Sequence, residues 1–266
     1  MELVQALTLA LVQGLTEFLP ISSSAHLVIT SKLLGWADQG LAFDLGLHLG
    51  TLAAVMGYFW RDLAGYLGVL RYWRKHPYWR ELLLLAFASL PAAVLGLLLA
   101  EWVETNLRSL VIIVIANTFF ALLLWLADSR SRASEQSQRL LARDMPWIYA
   151  LGIGCAQALA FIPGASRSGV TLSAALFLGL SRQEAARFSF LLSIPIILGG
   201  GLLTLGDLVG TGARPEMLLL LLAIGTAFVI ALACIGLFMR MIANMSLSLF
   251  VLYRLILSGF LLVWLI

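Results

Sequence analysis

The chain has 266 residues, of which 61% are hydrophobic and 12% charged, with a formal net charge of +3. A soluble domain carries roughly 25% charged residues, so this chain has too little polar surface to face water on all sides. A water-soluble globule is excluded, and so small a net charge leaves no electrostatic footprint for nucleic acid.

The first apolar stretch, Val4–Leu19, has no basic n-region before it, so a cleavable signal peptide is not expected. It runs into a polar break, Pro20-Ile-Ser-Ser-Ser-Ala-His26, and resumes as Ala25–Leu34. Phe43–Trp60 follows as the first run long enough to span a bilayer at about 1.5 Å rise per residue. A basic stretch comes next, with Arg61, Arg71, Arg74, Lys75 and Arg80. Leu82–Ala100 and Ser109–Leu126 are two further spans, joined by Glu101–Arg108. A second basic stretch, Asp128–Pro146, carries Arg130, Arg132, Arg139 and Arg143.

After it the opening pattern returns. Trp147–Ile162 is apolar, Pro163-Gly-Ala-Ser-Arg-Ser-Gly169 breaks it, and Val170–Leu178 resumes. Phe188–Leu205, Met217–Phe238 and Leu247–Ile266 are the last spans, the first two separated by Asp207–Glu216. Cys155 and Cys234 both lie in apolar sequence and read as core packing, not as a disulfide or metal pair.

The predicted fold is an all-α polytopic membrane protein with six transmembrane helices and two re-entrant helix-loop-helix hairpins. The basic stretches are two spans apart and share a face, which the positive-inside rule makes cytoplasmic. Both termini then lie outside. The first hairpin enters from outside and the second from the cytoplasm, so their tips meet within the membrane. Gln13-Gly-Leu-Thr-Glu-Phe-Leu-Pro20 resembles Gln157-Ala-Leu-Ala-Phe-Ile-Pro163, and Leu34-Gly35 through Phe43 resembles Leu178-Gly179 through Phe188. Such internal similarity with opposite topology predicts inverted repeats, residues 1–127 and 147–266, joined by 128–146.

The first break offers Gln13, Glu17, Ser22, Ser23, Ser24 and His26. Gln13 and Glu17 are one helical turn apart and share a face. A carboxylate within the membrane marks function by default. Hydroxyls beside an imidazole suit a nucleophile with its base, or an acid for a leaving group. The plainer reading is an N-cap made by Ser22–Ser24, with His26 a satisfied core residue.

The second break offers Gly164, Ser166, Arg167, Ser168, Gly169 and Thr171, ahead of a helix expected near Val170. Amides at a helix start form an anion cradle, glycine admits a close ligand, and arginine adds a planar fork for phosphate oxygens. The plainer reading is an Arg167–Glu17 ion pair that only joins the hairpins. Taken together the groups suit phosphoryl transfer, with a bound divalent cation, Mg²⁺ or Ca²⁺, near Glu17. No Gly-Lys-Ser/Thr loop is present, which argues against a nucleotide motor. Asp44 and His48 either line the cavity or sit near the outer end of their span. Arg254 reads as snorkelling or as a structural pair, and Glu184 and Arg187 as the exit of the second hairpin.

The segments Gln13-Gly-Leu-Thr-Glu-Phe-Leu-Pro-Ile-Ser-Ser-Ser-Ala-His26 and Pro163-Gly-Ala-Ser-Arg-Ser-Gly-Val-Thr171 resemble the two signature motifs of the bacterial undecaprenyl-diphosphate phosphatases, also called bacitracin-resistance proteins. The resemblance extends over the whole chain. It implies hydrolysis of undecaprenyl diphosphate to undecaprenyl phosphate and inorganic phosphate, recycling the lipid carrier of peptidoglycan and other wall polymers. It also implies dependence on a divalent cation. The implied setting is the bacterial cytoplasmic (inner) membrane, with the site open to the periplasmic face and with bilayer lipids as neighbours. A homodimer is compatible with it.

By resemblance Glu17, Ser23, His26 and Arg167 are the catalytic positions. Ser166, Ser168 and Thr171 match the family's phosphate-binding positions, and Gln13, Ser22, Gly164 and Gly169 are expected to bind phosphate with them. Gln13 stands where other members carry Glu, which leaves Glu17 as the one acid of its motif. Whether Ser23 or water attacks stays open. The rival reading is a lipid-phosphate transporter or flippase using the same anion site.

Overall fold

The computed structural model describes residues 2–37, 41–107, 109–133, 140–211 and 217–265. Arg108, Arg139 and Glu216 of the predicted connections lie outside these. The described residues form eleven α-helices. They are α1 (Leu3–Thr16), α2 (Ser23–Leu33), α3 (Leu41–Tyr58), α4 (Trp60–Tyr72), α5 (Trp79–Asn106), α6 (Leu110–Ala133), α7 (Trp147–Ala158), α8 (Arg167–Phe177), α9 (Arg182–Thr211), α10 (Met217–Met241) and α11 (Ser248–Leu265). Each predicted span and each hairpin arm is therefore a helix.

Among the described residues four stretches are long and apolar enough to cross a membrane: Trp79–Leu99, Leu110–Ser131, Arg182–Leu202 and Met217–Met241. Only 22% to 44% of their residues are buried inside the protein, so each presents one stripe to its neighbours and the rest outward. Leu98, Ile115, Leu202 and Leu221 are exposed on these helices, as lipid contact requires. Helix α1 is apolar but has only 14 residues, about 21 Å of helix against a hydrocarbon core of roughly 30 Å. The predicted loop from Arg61 to Arg80 instead contains α4, which starts after a break at Phe59. Its Asp62 lies in the first turn and Arg71 in the last, as the helix dipole favours.

Packing interleaves the two halves. Helix α10 packs on α1 and α3, and α5 packs correspondingly on α7 and α9. Helices α3 and α9 pack on each other, as do α6 and α11. The hairpin backbones match in detail. Ser22 and Ser166 precede α2 and α8 at φ 71° and 70°, a region L-residues rarely adopt. Ser22 Oγ meets Ser24 Oγ at 3.3 Å, and Ser166 Oγ meets Ser168 Oγ at 3.3 Å. Gly35 and Gly179 close α2 and α8 at φ 65° and 93°. All these pairs stand at one offset along the chain.

One end of the bundle carries both basic stretches. Arg80 donates to the carbonyls of Arg143 and Met145 at 3.1 and 2.9 Å. Beneath them Arg187 pairs with Glu81 and Asp62, and Arg182 pairs with Asp128 at 2.6 Å. Arg187 thus ties α9 to α4 and α5, a more definite place than the hairpin exit expected for it.

Candidate active site

The two hairpins meet at Glu17, which lies just past α1 and is 8% exposed. Gln13, one turn earlier, donates Nε2–H to Glu17 Oε2 at 3.0 Å. Ser23, the first residue of α2, donates its hydroxyl to the same oxygen at 2.7 Å. Arg167, the first residue of α8, donates Nη2–H to Glu17 Oε1 at 3.1 Å. Its Nη1 donates to the Ser189 carbonyl at 3.2 Å, and its guanidinium stands 5.7 Å over the Phe18 ring. Burying an ion pair costs several kcal/mol per ion before pairing and hydrogen bonds offset it, so the fold commits many donors to one carboxylate. A cation at a helix N-terminus is also disfavoured by the dipole. Both costs make sense if an anion comes to rest there.

Beside this cluster lies a cavity of about 410 Å³. Its polar wall includes Glu17, Ser22, Ser23, Ser24, Asp44, His48, Gln157, Ser166 and Arg167. Its apolar wall comes from α3, α5, α9 and the short turn that follows α7: Leu45, Ala92, Phe161, Ile196 and Ile197, with Gly200 and Gly201. Pro91 and Pro195 stand inside α5 and α9 next to the lining residues Ala92 and Ile196. Each removes one helical hydrogen bond at cavity depth. The chemistry matches an amphiphile with an anionic head. The Ser23 hydroxyl against Glu17 is a nucleophile in contact with a base, and Arg167 supplies fixed positive charge.

A family model described as bacitracin resistance protein BacA matches residues 6–260. The undecaprenyl-diphosphatase of Alcanivorax borkumensis is 47% identical over 269 residues, covering 100% of both chains. Undecaprenyl-diphosphatase 2 of Stutzerimonas stutzeri is 48% identical, over 99% of this chain and 98% of its own. The undecaprenyl-diphosphatase of Chromohalobacter salexigens is 47% identical over 99% of each. The chain belongs to the BacA family.

With membership in the BacA family and its long apolar helices, the chain is a multi-pass membrane protein. The residues singled out in its sequence fall into two layers. Glu17, Ser22, Ser23, Ser166 and Arg167 line the cavity. Gln13, fully buried, stands behind Glu17 and holds it. Ser168 donates to the Leu19 carbonyl at 2.8 Å and so fastens hairpin to hairpin. Thr171 Oγ1 donates to the Arg167 carbonyl at 2.9 Å and meets Ser189 Oγ at 2.5 Å. Both hydroxyls are thus engaged beneath Arg167. Helix α8 opens at Arg167, three residues before the start expected from the sequence, because Ser166 Oγ accepts from Gly169 N at 3.2 Å.

His26 is turned out of the cavity. Its Nδ1 donates to the Ser22 carbonyl at 2.7 Å, so its Nε2 accepts from the Tyr253 hydroxyl at 2.6 Å. The imidazole inside the cavity belongs to His48, whose Nε2 stands 4.0 Å from Glu17 Oε2. The glycines of the second break also serve a different neighbour from the expected ligand. A Cβ on Gly164 (φ +92) would lie 2.5 Å from the Ile113 carbonyl oxygen, and one on Gly169 would lie 3.1 Å from Arg254 Nη1.

Arg254 is fully buried and joins both loop tips. It donates to Asn117 Oδ1 at 2.8 Å and to the carbonyls of Pro20, Gly164 and Ala165 at 3.4, 2.8 and 3.1 Å. Arg254→Met should destabilise the fold by roughly 3–5 kcal/mol, since several buried acceptors lose their donor. Thermal unfolding in detergent should show a lower midpoint for R254M, and a wild-type midpoint would contradict this role.

The sequence suggested snorkelling or a structural pair for Arg254, and it did not single out Gln157 or Tyr253 as site residues. An arginine deep in an apolar span was the available signal for the first, and the repeat of Gln13 for the second.

Among the described residues no three His, Cys, Asp or Glu side chains gather as a metal cage. Glu17 already accepts three donors, which leaves about one of a carboxylate's roughly four acceptor positions. Asp44 lies on the same cavity. This set fits a hard cation that completes its shell with water and phosphate oxygens, and does not fit one held by protein alone.

Proposed function

We propose that this protein hydrolyses undecaprenyl diphosphate to undecaprenyl phosphate and inorganic phosphate, with Ser23 as nucleophile, Glu17 as its base and Arg167 as the phosphate-holding cation. The observation that carries the reading is the Ser23 hydroxyl 2.7 Å from Glu17 and Arg167 3.1 Å from the same carboxylate, on the wall of an amphipathic cavity. Full-length relatives named undecaprenyl-diphosphatase supply the substrate.

In this mechanism the diphosphate head rests against Arg167 and Ser166, and the prenyl tail leaves along the apolar wall. Ser23 Oγ bonds to the terminal phosphorus as its proton passes to Glu17. The bond from that phosphorus to the bridging oxygen breaks, and undecaprenyl phosphate departs with the bridging oxygen. Water then attacks the phosphoserine phosphorus, the bond from phosphorus to Ser23 Oγ breaks, inorganic phosphate leaves with the water's oxygen and protons, and Glu17 returns its proton to Ser23 Oγ. Gln13 keeps Glu17 oriented throughout. A divalent cation, Mg²⁺ or Ca²⁺, would be held by Glu17 and Asp44 with phosphate oxygens and would neutralise charge on the diphosphate. Chelation with EDTA should abolish phosphate release, and added Mg²⁺ or Ca²⁺ should restore it. Undiminished turnover after exhaustive chelation would remove the cation from the account.

The arrangement we infer has six spans and two re-entrant hairpins, with inverted repeats 1–127 and 147–266 joined by 128–146. The interleaved packing and matched hairpin backbones support it. The end bearing the basic stretches is read as cytoplasmic, and the site as opening to the periplasmic side of the bacterial inner membrane. There the reaction recycles the wall-polymer carrier and counters bacitracin, which the family description names.

Interleaved repeats also serve transporters, so the test must separate turnover from carriage. Protein in detergent has no two sides to carry between. It should release inorganic phosphate from undecaprenyl diphosphate there, and binding without release would favour transport.

A further inference from the structure

Gln157 is 1% exposed near the C-terminal end of α7, and neither its Oε1 nor its Nε2 has a protein partner. Among the described residues no other buried side-chain amide is left with both donor and acceptor unpaired. Buried polar groups are almost always paired, so an amide kept in this condition calls for a partner that is not part of the chain. Gln157 lines the same cavity as Glu17, Ser23, Ser166 and Arg167.

The repeat explains how the amide came free. Gln13 and Gln157 stand at the offset that relates Ser22 to Ser166 and Gly35 to Gly179. One turn beyond Gln13 is Glu17, which takes its Nε2–H at 3.0 Å. One turn beyond Gln157 is Phe161, which offers no acceptor. The second hairpin therefore keeps the amide and lacks the carboxylate. A phosphate oxygen in the cavity is an acceptor of the same kind as the missing carboxylate oxygen.

We propose that Gln157 is a substrate-binding residue, its Nε2–H donating to a phosphate oxygen of the lipid diphosphate and its Oε1 accepting from a water carried with that head group. The proposal rests on the phosphatase reading above and adds a recognition residue to it. The two Gln positions then divide the work, one holding the base and the other the substrate.

Gln157→Leu keeps the volume and removes the amide, and Gln157→Glu keeps the shape and sets a negative charge against the phosphate. Full-length wild type and both variants would be purified in detergent. Initial rates on undecaprenyl diphosphate and the thermal shift given by inorganic pyrophosphate would be measured for each. Losing a hydrogen bond to a charged group should raise KM about ten- to hundredfold in Q157L, with a smaller change in kcat. The pyrophosphate shift should shrink correspondingly, and the ligand-free melting midpoint should not fall. Q157E should bind pyrophosphate more weakly still, and it decides the matter if Q157L does not fold.

Wild-type KM and a wild-type pyrophosphate shift in the variants would overturn the proposal. So would a lower melting midpoint with unchanged KM, which marks a structural amide. Wild-type protein that binds pyrophosphate without releasing phosphate would count against the phosphatase reading, and the binding comparison would still judge Gln157.

Discussion

Replacing Arg167 by Ala should lower phosphate release from undecaprenyl diphosphate by about 10³-fold or more. Among the described residues the guanidinium is the permanent cation on the wall of the cavity, and it is fixed by Glu17, the Ser189 carbonyl and the Phe18 ring. Its loss removes the positive charge on which phosphoryl transfer depends. It also leaves Glu17 buried without its counter-ion, at a cost of about 3–5 kcal/mol. Activity and stability should therefore fall together in R167A, and a second variant has to separate them. Arg167→Met combined with Glu17→Gln removes both charges and should recover most of the lost melting temperature, since an uncharged pair needs no compensation. It should recover no activity. If the double variant hydrolyses the lipid at the wild-type rate, the ion pair only joins the hairpins.

The second large effect is expected at the Ser23–Glu17 contact. Ser23→Ala removes the attacking oxygen and Glu17→Gln removes its proton acceptor. Each should lower kcat by about 10³-fold or more, and the double variant should lose little beyond either alone, because the two act as a unit. Steady-state rates in detergent check this. His26→Ala makes a useful contrast. That imidazole faces Tyr253 and the Ser22 carbonyl instead of the cavity, so its loss should act through the shape of the loop. Effects of S23A and H26A that simply multiplied would agree with this division.

Much of the fold was legible in the sequence because lipid imposes one rule: backbone polar groups must pair within a helix. Long apolar runs therefore became helices, and Pro20 and Pro163 marked the breaks between short ones. Helix α4 was missed since its turns mix charged and apolar residues, as a connecting loop also does. The site was legible to the extent that its residues were costly. Glu17 and Arg167 stand out in apolar sequence, and their meeting follows from hairpins that converge.

Side-chain direction was not legible. His26 sits next to the serines in sequence, yet one helical turn carries it to α11. His48, far away in sequence, comes within 4.0 Å of Glu17. The hydroxyls of Ser168 and Thr171 look like phosphate ligands in the motif, but they meet the Leu19 carbonyl and Ser189. A short motif fixes composition at a helix start; which groups face the ligand is decided by neighbours that the motif does not contain.

The mechanism is tested most directly by acid quenching during turnover of undecaprenyl diphosphate labelled in its terminal phosphate. The account predicts label bound covalently to the protein, recovered as phosphoserine in the peptide containing Ser23, and absent from S23A and E17Q. An unlabelled protein, together with phosphate release by S23A at the wild-type rate, would contradict it.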